Sequence, residues 1–286
     1  MARMSRTRAS WIGVLAAAAT VMAPSAAQAR LTPGIVGGHP AAGALAASLA
    51  LVVSEGSGGE TEECSGTVVA PRLVLTAAHC LARPSGSGWL AASTFRVVTR
   101  ARSTRGATVQ RSRLVRAFPD PRYSNARFAD DAALLVLARP TAAAPVELES
   151  AAASPDLSLA GGHRFLAGWG DSRAGQLLPQ HVALEAEVVI QPAEVCARDA
   201  WQSLALPFVA GDEICTLGPQ GAARGACHGD SGGPLLARSD RRVIEVGVVS
   251  HGEGDCSTAV PTYLTRSAAI SRWVGWWIAR LGLREG

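Results

Sequence analysis

Short apolar stretches separated by turn-forming residues run along most of the chain. These stretches are 4 to 10 residues long and are punctuated by Gly, Pro and Ser; examples span 49–53, 66–75, 95–98, 133–137, 181–190 and 243–250. Many are rich in Val, whose branched side chain suits the extended backbone of a strand. Runs of this length with frequent turn signals predict an all-β protein built as a barrel or a sandwich.

One helix is predicted, at the C-terminus over about residues 267–281. Its apolar side chains recur at helical spacing, at Ile270, Trp273, Val274, Trp277, Ile278 and Leu281. Ser267 is a residue type that caps helix N-termini. The apolar stripe favours packing on the β body. A membrane-surface role is the alternative, because Arg272 and Arg280 accompany three Trp residues.

The first 29 residues have the three parts of a secretory signal peptide. Arg3, Arg6 and Arg8 form a positive start, residues 11–22 are uncharged and largely apolar, and 27–29 is a small-x-small cleavage site. The apolar run is shorter than the roughly 20 residues that a membrane-spanning helix needs. The sequence therefore predicts a secreted mature protein, extracellular or periplasmic, without stable membrane insertion.

Composition and charge narrow the function only a little. The chain has 286 residues, of which 48% are hydrophobic and 17% charged, an ordinary globular composition. All 27 basic residues are Arg, a usage typical of a high-GC genome. The formal net charge of +4 comes from Arg residues before position 35, and the remaining 23 Arg balance 23 acidic residues. The neutral body gives no reason to expect nucleic-acid binding.

The body of the chain contains no internal repeat and no linker long enough to separate independent domains. Residues 139–162 are rich in Ala, Pro and Ser, and they are the best candidate for a crossing between two halves. Six cysteines in an exported chain predict three disulfides, for which arithmetic alone allows 15 pairings. No C-x-x-C pair is present, so a zinc site is not expected.

Three separated motifs carry residue types suited to nucleophilic catalysis. They are Thr-Ala-Ala-His-Cys at 76–80, Asp-Ala-Ala-Leu-Leu at 131–135 and Cys-His-Gly-Asp-Ser-Gly-Gly-Pro at 227–234. A serine hydroxyl is a weak nucleophile near neutral pH and needs a base to take its proton. An imidazole can act as that base, and a carboxylate can hold the imidazole in the required tautomer.

Together with Ile-Val-Gly-Gly at 35–38 and Gly-Trp-Gly at 168–170, these motifs resemble the trypsin-like (chymotrypsin-fold) serine proteases, in their secreted bacterial type. The resemblance extends from residue 35 to about residue 281. It implies an all-β fold of two packed antiparallel six-stranded β-barrels with a C-terminal α-helix. The implied organisation is a pro-segment at 30–34 and a protease domain at 35–286, with barrel 1 at about 45–145 and barrel 2 at about 160–265.

The resemblance implies a serine endopeptidase that works through an acyl-enzyme. His79 would be the general base, Asp131 the acid that orients it and Ser231 the nucleophile. Asp130 competes for the acid's role, but the family pattern places the acid directly before x-Ala-Leu-Leu and so selects Asp131. The backbone N–H groups of Gly229 and Ser231 would form the oxyanion hole.

The resemblance also implies activation by cleavage before Ile35. The new α-ammonium of Ile35 would pair with buried Asp230, so the chain is expected to be a zymogen. Gly34 stands where many family members have Arg or Lys. Self-activation of the trypsin kind is therefore not expected, and another protease is a possible activating partner.

The specificity pocket is assigned by the same resemblance. Gly225 would form the base of the S1 pocket, with no carboxylate to pair with a substrate Arg or Lys. Ser250 and Gly252 would line it, and Thr262 would shorten it from the far wall. His251 replaces the more usual aromatic residue, so the resemblance does not assign the second subsite. The expected preference is for small or medium apolar residues before the cleaved bond.

The disulfides implied by the resemblance are Cys64–Cys80, Cys196–Cys215 and Cys227–Cys256. No acidic loop after His79 resembles a family calcium site, so neither a metal nor a cofactor is expected. Surface or packing roles are expected for the five other histidines, His39, His163, His181, His228 and His251.

Seven arginines occur between 96 and 116 without an intervening acid, at Arg96, Arg100, Arg102, Arg105, Arg111, Arg113 and Arg116. The segment is either an exosite for acidic partners or the solvated face of two strands, and the second interpretation is favoured. The positive charge of this segment is expected to be offset elsewhere by Glu60, Glu62 and Glu63.

A non-catalytic binding protein on the same fold is the alternative function, since a fold does not dictate activity. An esterase or lipase ranks lower, because the G-x-S-x-G elbow is absent. The expected partners are protein or peptide substrates, and a monomer is expected.

Overall fold

The computed structural model describes residues 35–55, 61–83, 88–99, 109–151, 156–171, 182–238 and 242–283. The predicted signal peptide and pro-segment lie outside the described residues, as do His181, Glu60, Arg100, Arg102 and Arg105. The described strands in chain order are β1 (His39–Pro40), β2 (Leu49–Glu55), β3 (Thr61–Ala70), β4 (Leu73–Thr76), β5 (Phe95–Thr99), β6 (Gln110–Pro119), β7 (Ala133–Leu137), β8 (Glu147–Leu148), β9 (His163–Gly168), β10 (Leu184–Ile190), β11 (Glu213–Leu217), β12 (Pro234–Arg238), β13 (Val243–His251) and β14 (Thr262–Arg266).

The first barrel is formed by six antiparallel strands that close in the order β2-β3-β4-β7-β6-β5. Side chains from all round the ring, among them Val52, Val68, Phe95 and Leu135, are buried in one core inside it. A closed sheet of this size leaves an interior that side chains can fill, and it exposes no free strand edge.

The second barrel closes in the order β9-β10-β11-β14-β13-β12, with β12 pairing back onto β9. Its core includes Ile35, Leu166, Val188 and Leu264. Two short strands are added outside the ring: β1 pairs with β10, and β8 pairs in parallel with β13. The prediction of an all-β fold with two six-stranded barrels is confirmed.

A third apolar cluster joins the two barrels. Leu49 and Leu51 of the first barrel are buried in one core with Trp169 and Leu236 of the second. Burial of this apolar surface stabilises the contact between barrels and fixes the line along which their loops meet. Barrel packing therefore determines which loops can share a cleft.

The apolar run at 66–75 is two strands rather than one. The strand β3 ends at Ala70 and β4 begins at Leu73, and the turn between them contains Pro71 and Arg72. Proline fixes φ and removes a backbone donor, so it favours the turn even though the flanking residues are apolar.

The C-terminal helix α3 spans Ser267–Arg280, and its predicted apolar stripe packs on the barrels. Ile270 and Val274 are buried in one cluster with Leu73 and Leu134 of the first barrel and Val248 of the second. The prediction that Ser267 caps this helix is wrong. Ser267 is the first helical residue, the residue before it is Arg266, and no side chain caps the helix.

The sequence predicted one helix, but two short helices are also present: α1 (Gly43–Ser48) and α2 (Ala193–Asp199). A π-helical turn, Ala200–Leu204, follows α2. One or two turns are too short to show a helical period in the sequence, and such helices depend on tertiary contacts. Within the described ranges, no helix has the length and apolarity to cross a membrane.

Three disulfides are present, and they join the pairs that the resemblance implies: Cys64–Cys80, Cys196–Cys215 and Cys227–Cys256. Each disulfide closes a loop rather than joining two distant elements, since the paired cysteines are 16, 19 and 29 residues apart in the chain. Closing loops of this size stabilises a fold by roughly 2–4 kcal/mol each.

The described arginines of the 96–116 segment lie on two neighbouring strands. Arg96 in β5 stands directly opposite Arg113 in β6, while Arg111 and Arg116 are exposed elsewhere on β6. Between them, Ser112 and Leu114 point inward and are buried. This alternation fits the interpretation of a solvated strand face.

Candidate active site

A cleft of about 680 Å³ opens where loops of the two barrels meet. The first barrel lines it with residues from β3 and from the turn after β4, and the second lines it with residues 169–171 and with His228, Gly229 and Ser231. Two of the three motif residues singled out in the sequence, His79 and Ser231, line this cleft. The third, Asp131, is completely buried behind it.

His79 begins a 3-10 turn directly after β4. The two residues before it, Ala77 and Ala78, are fully buried, and the next residue, Cys80, is bonded to Cys64 in β3. Small buried residues on one side and a disulfide on the other leave the backbone at His79 little freedom. The imidazole remains partly accessible from the cleft, with 23% of the side chain exposed.

His79 and Asp131 are joined by two hydrogen bonds. The Nδ1–H group of His79 donates to Oδ2 of Asp131 at 2.7 Å, and the backbone N–H of His79 donates to Oδ1 at 2.9 Å. Because a carboxylate only accepts, Nδ1 must carry the proton in neutral His79, and Nε2 is left as the basic nitrogen. This is the tautomer that a general base on the cleft side requires.

The Asp131 carboxylate stays ionised although it is fully buried. The Ser250 hydroxyl donates to Oδ2 at 2.6 Å, in addition to the two bonds from His79. Burial alone would raise the pKa of Asp131, but the charge of His79 and these hydrogen bonds hold it below its usual value. A charged acid at this position stabilises the imidazolium form of its partner.

The pKa of His79 is raised above its ordinary value as a result. Burial disfavours the imidazolium and lowers the pKa, but the charge and hydrogen bond of Asp131 outweigh that effect. A stronger base accepts a proton from a hydroxyl group more readily. The pair can therefore do proton-transfer chemistry on a group held in the cleft.

Asp130 faces away from this pair. Its Oδ1 lies 3.1 Å from the guanidinium of Arg122, which also binds Asp120. Its backbone has φ of 52°, a left-handed conformation that turns the chain just before Asp131. The adjacent acids thus differ in environment, and the arrangement places Asp131 rather than Asp130 beside His79.

Ser231 lies in a tight turn that depends on glycine at two positions. Gly229 has φ of +89° and Gly232 has φ of +81°. A Cβ on Gly232 would lie 2.1 Å from the Thr76 hydroxyl, so no larger residue fits there. The backbone carbonyl of Ser231 accepts a hydrogen bond from the N–H of Ser65 at 2.8 Å, which ties the turn to the first barrel.

The Ser231 hydroxyl and His79 line the same cleft but make no hydrogen bond to each other within the described part of the chain. The backbone N–H groups of Gly229 and Ser231 likewise have no acceptor among the described residues. Two unpaired donors at the wall of a cleft suit an incoming anionic oxygen. The turn therefore brings a hydroxyl and two unpaired backbone N–H groups to the cleft that His79 also lines.

Asp230 points away from the cleft into the protein. It is fully buried, and its carboxylate accepts the backbone N–H groups of Gly170 at 2.8 Å and Cys227 at 2.9 Å. Burial raises the pKa of Asp230 to about 7, with these backbone hydrogen bonds and one from Ile35 opposing the shift. The carboxyl group has no cationic side chain beside it among the residues described here.

Ile35 is inserted beside this carboxyl group. It is fully buried in the core of the second barrel, and Val36 exchanges backbone hydrogen bonds with Gly225 at 2.9 and 3.3 Å. The segment that begins at Ile35 thus connects buried Asp230 with the residue assigned to the base of the S1 pocket.

The residues assigned to the S1 pocket are brought together. Thr262 faces Gly225, and its hydroxyl accepts the N–H of Ala226 at 3.1 Å. Ser250 is buried, and Gly252 has only the Pro261 carbonyl within 4 Å of the position that a Cβ would occupy. None of these four residues carries a charged side chain.

Several cleft residues were missed by the sequence analysis. Phe128 packs the edge of its ring against His79, with 6.0 Å between ring centroids, and it also contacts His251. His228 lines the cleft, as do Glu62 and Glu63, which were expected only to offset the arginines. His228 is exposed and His251 packs against Phe128 and Tyr263, as the expected surface and packing roles allow, but their positions at the site depend on contacts far apart in sequence.

In the described part of the chain, one group of metal-ligand residue types lies close together: Cys64, His79 and Cys80. The two cysteines are bonded to each other as a disulfide. Their sulfur atoms therefore cannot act as thiolate ligands, and this group does not fit a metal site.

A comparison with protein families identifies the family to which this chain belongs. The family model described as trypsin matches residues 35–274. The match begins at the buried Ile35, covers both barrels and the whole cleft, and ends inside α3.

Proposed function

The chain belongs to the trypsin family, and on that premise we propose that it is a secreted serine endopeptidase, made as a zymogen, with His79, Asp131 and Ser231 as its catalytic residues. The observation that carries the proposal is the 2.7 Å hydrogen bond that holds His79 on Asp131, with Nε2 left basic beside the cleft that Ser231 lines. A buried ionised acid behind an accessible imidazole supplies the base that a serine hydroxyl needs.

In the proposed reaction, Ser231 Oγ attacks the carbonyl carbon of a peptide bond while His79 Nε2 takes its proton. The N–H groups of Gly229 and Ser231 stabilise the oxyanion, each donor contributing about 2.7–4 kcal/mol. The C–N bond then breaks, and the imidazolium returns its proton to the leaving amine. Water hydrolyses the acyl-enzyme by the same steps and restores Ser231.

The zymogen proposal is supported by the backbone at Ile35. This β-branched residue has φ of 28°, a conformation that is strained for such a side chain. The strain depends on the preceding carbonyl group, and cleavage of the bond between Gly34 and Ile35 removes it. Cleavage also creates an ammonium group at the atom that already approaches Asp230, the partner that the buried carboxyl group lacks.

The proposed substrate preference is for small or medium apolar residues before the cleaved bond. Gly225 offers no carboxylate for a basic side chain, and Thr262 occupies the wall opposite it. Secretion is supported by the leader sequence and by the three disulfides, which persist in oxidising surroundings.

One preparation tests the proposal. Secreted protein is treated with a fluorophosphonate reagent, which labels activated serines, beside a Ser231→Ala control, and its N-terminus is sequenced. The proposal predicts labelling of the parent alone and an N-terminus at Ile35 in the labelled fraction. Protein that begins at Ile35 and does not react would instead indicate a non-catalytic binding protein.

A further inference from the structure

His251 is connected to the Asp131 carboxylate through a single hydroxyl group. The Nδ1 atom of His251 lies 3.2 Å from the Ser250 hydroxyl oxygen, and that hydroxyl lies 2.6 Å from Oδ2 of Asp131. A second imidazole thus stands two hydrogen bonds away from the acid that holds His79. The proposed function assigns no role to this side chain.

The direction of each hydrogen bond follows from the number of protons available. Ionised Asp131 can only accept, so the single proton of the Ser250 hydroxyl is donated to it. The Ser250 oxygen can then only accept from His251, which requires a proton on Nδ1. His251 is therefore the Nδ1–H tautomer, and a chain of hydrogen bonds runs from His251 through Ser250 to Asp131.

Packing fixes the ring of His251 in the orientation that this chain requires. It stacks on Tyr263 with 4.9 Å between centroids and an interplanar angle of 6°, and Phe128 covers it at 5.2 Å. Tyr263 is itself fully buried and donates its hydroxyl proton to the carbonyl of Cys196 at 3.1 Å. An imidazole held between two aromatic rings loses little further freedom on forming a hydrogen bond.

Burial keeps His251 neutral. Burial lowers its pKa to about 4; the charge of Asp131 opposes that shift and the charge of His79 adds to it. Tyr263 on β14 is neutral because burial raises its pKa, and Phe128 and Ser250 carry no charge. Neutral His251 can donate from Nδ1 to Ser250 without adding a positive charge beside the catalytic pair.

We propose that His251 is a positioning residue that polarises the Ser250 hydroxyl and so strengthens its hydrogen bond to Asp131. This inference rests on the proposed function, since it concerns how the acid of the same site is held. Hydrogen bonds in a chain polarise one another, most strongly where water is excluded. The strengthened bond holds the acid in place and limits how far its charge raises the basicity of His79.

Two substitutions separate this role from packing. His251→Phe keeps an aromatic ring between Tyr263 and Phe128 but removes the Nδ1 donor. His251→Asn removes the ring but can place an amide N–H near the position of Nδ1. Kinetics of peptide hydrolysis would be measured across pH for both variants and for the parent, with rates normalised to the fraction that reacts with a fluorophosphonate.

The proposal predicts that His251→Phe lowers kcat by about 3- to 10-fold, the effect of losing one hydrogen bond, and moves the acidic limb of kcat to higher pH. The limb moves up because a less well-bonded carboxylate stabilises the imidazolium of His79 more. His251→Asn should keep the limb of the parent and recover kcat at least in part. Equal kcat and pH profiles for His251→Phe and the parent, or a greater loss with Asn than with Phe, would overturn the proposal.

A matched control and a second measurement keep the test decisive. His163→Phe changes an exposed histidine on β9, paired with Glu187, and should leave the pH profile unchanged. If neither variant at position 251 folds, 15N NMR of the histidine-labelled parent tests the proposal instead. A proton on Nε2 rather than Nδ1 of His251 would contradict the proposed hydrogen bonds to Ser250 and Asp131. Failure of the proposed function would appear differently, as a parent of mature N-terminus that does not react with the fluorophosphonate.

Discussion

The hydroxyl oxygen of Thr262 lies only 3.4 Å from the position that a Cβ on Gly225 would occupy. The hydroxyl is held there by the N–H of Ala226, and the methyl group of Thr258 lies 3.6 Å from the same position. A side chain on the residue assigned to the base of the S1 pocket would therefore touch two threonine side chains.

Thr262→Gly should deepen this pocket. Removing the side chain frees space for larger apolar groups, and each methylene of pocket depth changes the preference by roughly 10- to 200-fold. The ratio of kcat/KM for a peptide with Leu or Phe before the cleaved bond to that for one with Ala should rise at least about 10-fold. Thr94→Gly, on an exposed 3-10 turn, is the control and should leave the ratio unchanged. A parent that prefers Arg would contradict the assignment.

Gly232→Ala should damage the turn that carries Ser231. The φ of +81° costs about 1–3 kcal/mol for a residue other than glycine, and the clashes with the Thr76 hydroxyl and the Ser65 carbonyl add to this. Urea unfolding should show the loss, and fluorophosphonate labelling should slow. Gly254→Ala, at a glycine with nothing within 4 Å of its Cβ position, should change stability by less than about 0.5 kcal/mol. Equal effects at both positions would refute the steric argument.

Asp230→Asn should affect the cleaved protein far more than the uncleaved one. Removing one partner of a buried ion pair costs roughly 3–5 kcal/mol, whereas in the uncleaved chain there is no ammonium group to lose. The activity of the form that begins at Ile35 should fall at least about 100-fold. Unfolding of the uncleaved chain at pH 6, where burial keeps the Asp230 pKa near 7, should change little. Full activity of the trimmed variant would exclude the ion pair as the switch.

Glu245→Gln should flatten the pH dependence of stability. Glu245 is fully buried, burial raises the pKa of its carboxyl group to about 8 from 4.5, and only the nearby Thr67 hydroxyl opposes that shift. Below pH 4.5 the carboxyl group is protonated in both the folded and the unfolded state, so it does not lower the stability. As the pH rises toward 8, the unfolded chain releases the proton and the folded one keeps it, so stability falls by at most about 1.4 kcal/mol per pH unit.

Urea unfolding between pH 5 and pH 8.5 would measure this slope. Asp230 and Glu213, whose pKa values are also raised by burial to about 7, contribute to the slope of the parent. The difference between the parent and Glu245→Gln isolates the contribution of Glu245. Glu147→Gln, at an exposed residue paired with Arg242, should keep the slope of the parent. Identical slopes for all three proteins would contradict a raised pKa at Glu245.

The acidic limb of kcat/KM should lie above pH 6.5. Activity requires neutral His79, and the charge of Asp131 outweighs burial to raise the pKa of His79 above that ordinary value. Asp131→Asn removes the charge and the correct tautomer, so kcat should fall by about 10⁴-fold and the limb should move to lower pH. A parent with its limb well below pH 6.5 would show that the pair is not coupled as described.

The strands were the most predictable part of the fold. The run at 133–137 coincides with β7, and those at 49–53, 95–98 and 243–250 differ from their strands by one or two residues at an end. Each is a continuous apolar stretch with turn residues on both sides, a local signal that survives tertiary packing. The apolar run at 66–75 did not correspond to one strand, because its turn at Pro71 and Arg72 lies between the apolar residues Ala70 and Leu73.

The candidate site was predictable where its residues stand in short motifs. His79, Asp131 and Ser231 each carry a local pattern, and the turn around Ser231 needs glycine at set positions. Phe128 and His251 carry no such pattern. Their contacts with His79, Ser250 and each other arise only when loops from the two barrels meet.

The amino-acid order alone was enough to establish strand locations, the amphipathic C-terminal helix and the chemical groups of the cleft, because alternation, helical period and turn residues act over a few neighbours. The tertiary structure alone decided how Asp131 and His79 are hydrogen-bonded, how close Thr262 stands to Gly225 and that His251 reaches Asp131 through Ser250. Those outcomes depend on distances between residues up to 119 positions apart in the chain, and such distances are set by how the two barrels pack.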